Sequence, residues 1–103
     1  MVKELTDATF ANETASGVVV GDCWAAWCGP CKKLSPIVDK VAEDYEGKAV
    51  FAKLDVDENP EVCEQQGIMS IPTLLFFKNG QLVDKSVGFI DDSKLKEKVD
   101  ALL

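Results

Sequence analysis

Histidine is absent from this 103-residue chain, and so is arginine: all 11 basic residues are lysines. Without histidine there is no Cys–His or Ser–His–Asp catalysis, no imidazole metal ligand and no haem held by histidine. Without arginine no bidentate clamp on phosphate or guanine can form. No apolar run approaches the ~20 residues of a membrane-spanning helix. The first residues, Met1-Val2-Lys3-Glu4-Leu5, lack the apolar stretch of a secretory signal, so a cytoplasmic location is expected. Repeats, linkers and low-complexity segments are missing too.

What is present narrows the reading further. The net charge is −7, with the lysines scattered among acids, which argues against nucleic acid and anionic membrane as partners. The acidity serves solubility and can steer docking onto a positive patch. A hydrophobic content of 47% favours a packed core over disorder, and the length suits one domain spanning 1–103. Nothing marks a dimer face, so a monomer is expected.

Periodicity gives the architecture. Val18-Val19-Val20 begins an apolar stretch that runs to Trp27, interrupted by Gly21-Asp22, and Ala49-Val50-Phe51-Ala52 begins another. Such runs read as strands buried on both faces, as in parallel sheets. Between them Leu34, Ile37, Val38, Val41, Ala42 and Tyr45 fall at helical spacing, with Pro36 expected to kink the helix. The result is a strand–helix–strand unit with a right-handed crossover. Asn79-Gly80 between Thr73–Lys78 and Gln81–Val87 predicts a hairpin. Leu95, Val99 and Leu102 stripe a C-terminal helix capped by Asp91 or Asp92. A short strand is expected at Lys3–Leu5, then a helix over Asp7–Thr14 capped by Thr6. Asn59-Pro60 should cap and open a short helix ending near Gly67.

The string Trp27-Cys28-Gly29-Pro30-Cys31-Lys32 carries the chemistry. On a helix, residues three apart share a face with Cβ atoms ~5–6 Å apart. A disulfide needs them at ~3.5–4.5 Å, within reach of a tight first turn. Pro30 suits that turn because an early helical position needs no N–H. Trp27 offers a broad flat surface beside the first sulfur, and Gly29 leaves the backbone there uncovered. The pair falls where a buried strand hands over to a helix N-terminus, whose free N–H groups and dipole stabilise a thiolate. Cys28, expected to be the more exposed sulfur, should be the nucleophile. Cys31, one turn inward, should attack second and resolve the mixed disulfide.

These residues resemble the thioredoxin family over essentially the full length. The matching stretches are Trp24-Ala25-Ala26-Trp27-Cys28-Gly29-Pro30-Cys31-Lys32, Asp55-Val56-Asp57-Glu58-Asn59-Pro60, Ile71-Pro72-Thr73 and Phe77-Lys78-Asn79-Gly80. The resemblance implies an α/β thioredoxin fold, a central five-stranded mixed sheet flanked by four helices. It implies a cis Ile71–Pro72 bond beside Cys28, whose Ile71 backbone would pair with an extended target segment. Trp27, Gly29, Pro30 and Gly88 would rim the docking surface. It also implies protein disulfide reductase activity, with disulfide-containing proteins as targets and a flavoprotein thioredoxin reductase as electron source. Neither a metal nor another cofactor is called for.

Asp22 and Lys53 each interrupt an apolar strand, and buried charges are usually paired. Read from the residues alone, each also fits a strand end facing water. The matching family positions are a buried Asp and a Lys beneath the cysteine pair. On that likeness desolvation should raise the Asp22 carboxyl, which would take the proton from Cys31 as that sulfur attacks. Cys63 reads as a small buried hydrophobe. Cys23 stands where the family usually has a bulky aromatic, and Gly21 where a β-branched residue is usual. These two departures predict a looser core near Asp22. Two alternative functions use the same residues, a cysteine-based metal module and a redox-independent scaffold.

Overall fold

The structure is a computed structural model that describes residues 2–103. Its elements are β1 (Val2–Leu5), α1 (Phe10–Glu13), β2 (Val18–Trp24), α2 (Gly29–Asp44), β3 (Val50–Asp55), α3 (Pro60–Gln65), β4 (Thr73–Lys78), β5 (Gln81–Val87) and α4 (Asp92–Asp100). The five strands form one sheet in the order β1-β3-β2-β4-β5. The β1–β3 and β3–β2 pairs are parallel, and the β2–β4 and β4–β5 pairs antiparallel. This is the expected mixed sheet with four helices.

Side chains alternate faces along β2, and each face has its own core. Val20 joins Leu34, Val38 and Val41 of α2, Phe51, Phe76, and Leu95 and Val99 of α4. Val19 and Cys23 join Leu5, Phe10 of α1, Leu54, Val62 of α3, Leu75 and Phe77 on the other side. A clasp fastens α2 to α4. The Tyr45 hydroxyl donates to an Asp100 carboxylate oxygen, and Lys96 pairs with Asp44 at 3.0 Å. That hydrogen bond, then burial, pushes the Tyr45 phenol up to about 12.

The hairpin forms as expected, with Asn79 (φ 51°) and Gly80 (φ 84°) both in the left-handed region that a two-residue turn requires. A bulge falls between Phe76 and Phe77. Asp91, rather than Asp92, caps α4 by accepting from the Lys94 N–H at 2.9 Å.

Three local expectations shift. Strand β2 ends at Trp24 rather than running to Trp27, because the Cys28 N–H bonds back to the Ala25 carbonyl at 3.1 Å and turns the chain. Helix α1 is shorter than Asp7–Thr14. The Thr6 and Thr9 hydroxyls accept from each other's N–H groups and close a separate turn first. Asp7 is drawn elsewhere: its carboxylate accepts from the Val62 N–H at 2.9 Å and the Glu61 N–H at 3.2 Å, capping α3. Asn59 sits at the expected cap position but instead accepts from the Asp7 N–H and donates to the Asp55 carbonyl.

Candidate active site

Strand β2, at the centre of the sheet, ends at Trp24, and α2 begins five residues later at Gly29. Cys28 is the N-cap of that helix, with extended backbone (φ −91°, ψ 110°), and Pro30 occupies its first turn. The Cys28 sulfur accepts the Cys31 N–H at 3.2 Å, so it satisfies one of the free amides at the positive end of α2. Cys28 and Cys31 are disulfide-bonded, with Cα atoms 5.3 Å apart. In this oxidised form Cys28 and Cys31 are 5% and 3% exposed, so exposure does not separate them as expected. Their bonded sulfurs lie in one small cluster with Ala25, and Ile71 packs against it. Position on the helix separates them instead, Cys28 at the cap and Cys31 inside the first turn.

The Ile71–Pro72 bond is cis. The Pro72 carbonyl accepts the Gly88 N–H at 2.8 Å, which ties the loop after β5 to the loop before β4. Gly88 has φ 92°, a conformation that favours glycine. Among the described residues the Ile71 amide and carbonyl make no hydrogen bond within the chain. Trp27 is 70% exposed, and its indole N–H donates to Asp57 at 2.9 Å. A groove of about 460 Å³ lies between Trp27 and the Met69–Ile71 loop, with Cys63 in its lining. A second depression of about 600 Å³, lined by Gly29, Pro30, Lys33 and Phe89, lies at the helix start. Of the predicted rim, Trp27, Gly29 and Pro30 adjoin the cysteines along the chain, Ile71 packs against their cluster, and Gly88 is tied to Pro72.

Beneath it, Asp22 is 1% exposed and its Oδ1 has no hydrogen-bond partner. Desolvation pushes its carboxyl up to about 6, against the pull of the Lys53 charge. A cavity of about 130 Å³ is lined by Asp22, Cys31, Ser35 and Lys53 among others, and joins the carboxyl to the inner cysteine. Lys53 is next to Asp22 in the β2–β3 register but does not pair with it. It is half-buried and ion-pairs with Asp39 of α2 at 3.2 Å.

The looser core expected around Asp22 does not follow from Gly21 and Cys23. Cys23 belongs to the cluster on the α1–α3 face, and a Cβ on Gly21 would meet Leu5 and Leu75 there, at 3.8 and 3.9 Å. Asp22 points the opposite way, and the strand pairs without interruption through all three residues. Burial, then the neighbouring Cys63, pushes the Cys23 thiol up to about 12. Burial and the nearby Asp7 carboxylate also push Cys63 up. Both are poor thiolates. The four cysteines divide between two clusters, and among the described residues no three His, Cys, Asp or Glu side chains gather as metal ligands.

Sequence reasoning missed Asp57, Ser35, Asp39, Met69 and Phe89. Asp57 lies in a stretch that carried the resemblance, but nothing in its neighbours pointed to Trp27. Phe89 follows Gly88 directly, and an aromatic beside a rim glycine was the available signal.

The family model described as Thioredoxin matches residues 1–101. Proteins named Thioredoxin from Staphylococcus aureus strains Mu50 and MW2 are each 52% identical to this chain over 99 residues, covering 96% of it and 95% of their own length.

Proposed function

The chain belongs to the thioredoxin family and is a thiol–disulfide oxidoreductase; on that premise we propose how its residues reduce a protein disulfide. Cys28, as thiolate, attacks one sulfur of the target's disulfide, forms a mixed disulfide and releases the target's other sulfur as thiolate. Cys31 then attacks Cys28, forms the intramolecular disulfide and expels the target's second thiolate. Two electrons pass to the target, and the chain is left oxidised as Cys28–Cys31. The observation that carries this reading is the cysteine pair at the α2 N-terminus, with Cys28 as cap.

The proton from Cys31 goes to Asp22. The shared cavity and the raised, unpartnered carboxyl support that role. Trp27, Gly29, Pro30 and Gly88 form the rim on which targets dock. The free backbone groups of Ile71, which packs against the cysteine cluster, pair with an extended target segment. A flavoprotein thioredoxin reductase recharges the pair, and the chain works as a monomeric single domain in the cytoplasm.

Reduction of insulin by dithiothreitol tests the reading. The wild-type chain should accelerate precipitation of the insulin B chain, and Cys28→Ser should abolish the acceleration. An unchanged rate in Cys28→Ser would overturn the assignment.

A further inference from the structure

Lys53 faces a choice of partners. Strand register sets it beside Asp22, yet its ammonium turns onto α2. There it donates to the Ser35 hydroxyl and ion-pairs with Asp39 Oδ1 at 3.2 Å. Cys31, Ser35 and Asp39 are each four residues apart, so they line one face of the helix. The row runs from the inner sulfur to the carboxylate that captures the lysine. Two of the three ammonium protons are thereby engaged away from Asp22.

We infer that Ser35 and Asp39 are positioning residues: by holding the Lys53 ammonium on α2 they keep Asp22 unpaired, so that its carboxyl can take and release a proton during turnover. A direct ion pair in this buried place would fix Asp22 as carboxylate and lower its proton affinity by ~1–3 pH units. The groups that face Asp22 are few. Lys53 comes from β3, Cys31, Lys32 and the more distant Asp39 from α2, and the β4 neighbour is the apolar Leu74. Of these two lysines Lys53 is the one whose charge acts on the Asp22 carboxyl, so its placement decides the balance, and Ser35 controls it without carrying charge. The inference rests on the role proposed for Asp22, but its direct readout does not.

The experiment is a carbon-13 NMR titration of the Asp22 carboxyl in the oxidised full chain. Wild type and Ser35→Ala are compared, each with Lys53 and with Lys53→Gln. Ser35→Ala should lower the Asp22 midpoint by about half a pH unit or more, a part of what a close cation brings. In the Lys53→Gln background Ser35→Ala should change nothing. An unmoved or raised midpoint in Ser35→Ala, or an equal shift without Lys53, would overturn the inference. The second readout is the pH profile for release of the mixed disulfide formed with insulin. It should move with the midpoint. If the midpoint shifts as expected while this profile stays, the positioning role stands and the proton-accepting role of Asp22 falls.

Discussion

Asp22→Asn should make the oxidised protein more stable at neutral pH. The buried carboxyl has its proton affinity raised from 3.8 to about 6, chiefly by desolvation. The folded state therefore prefers the protonated form. Below the unfolded value of 3.8 the carboxyl is neutral in both states and costs nothing. As pH rises from there to about 6, the unfolded chain ionises first and folding loses stability; above about 6 the loss is constant. A shift of about 2 units at about 1.4 kcal/mol per unit gives a cost near 3 kcal/mol. Asparagine keeps the shape, loses the charge and carries a desolvation cost comparable to that of a protonated carboxyl. Guanidinium unfolding of both proteins between pH 3 and pH 8 measures the difference. At pH 7 the variant should gain about 2–3 kcal/mol, which at a slope of about 3 kcal/mol per M raises its midpoint by close to 1 M. Near pH 3.5 the curves should coincide. A variant equal to or less stable than wild type at pH 7, or a gain that does not depend on pH, would refute the reasoning.

Other perturbations follow from the same geometry. Asp22→Asn should also slow release of the mixed disulfide more than its formation, as read by stopped-flow fluorescence; equal slowing of both steps would remove its proton-accepting role. Asp7→Ala should cost about 1 kcal/mol by uncapping α3, a value usual for lost helix caps, and guanidinium unfolding would read it. Gly21→Ala should stabilise the chain by roughly 0.5–1 kcal/mol in a thermal melt, because its methyl meets Leu5 and Leu75 at ordinary contact distance. Tyr45→Phe should cost about 1 kcal/mol through the lost bond to Asp100, checked in the same melt.

The sheet, the hairpin and the long helix were legible because each writes its own period or turn signal into adjacent residues. Cys28 and Cys31 were legible for the same reason: three-residue spacing, a proline and a strand before them fix their place. The cis bond at Pro72 came from the family likeness, since adjacent residues favour trans. What was not legible depends on contacts far apart in sequence. Asp7 caps a helix more than fifty residues away, and its own neighbours suggest only a local helix start. Lys53 sits beside Asp22 by register, yet its long side chain finds Ser35 and Asp39 on the layer above. Gly21 and Cys23 adjoin Asp22 in sequence but belong to the opposite face of the sheet, so their small volumes leave its pairing intact.

Insulin incubated with Cys31→Ser and with Cys28→Ser, followed by intact mass spectrometry, separates the two sulfurs. Cys31→Ser should accumulate a mixed disulfide mapped to Cys28, because the attacking thiol remains and the resolving thiol is gone. Cys28→Ser should accumulate none. An adduct on Cys31 in Cys28→Ser, or no adduct in Cys31→Ser, would contradict the assignment of Cys28 as the nucleophile at the cap of α2.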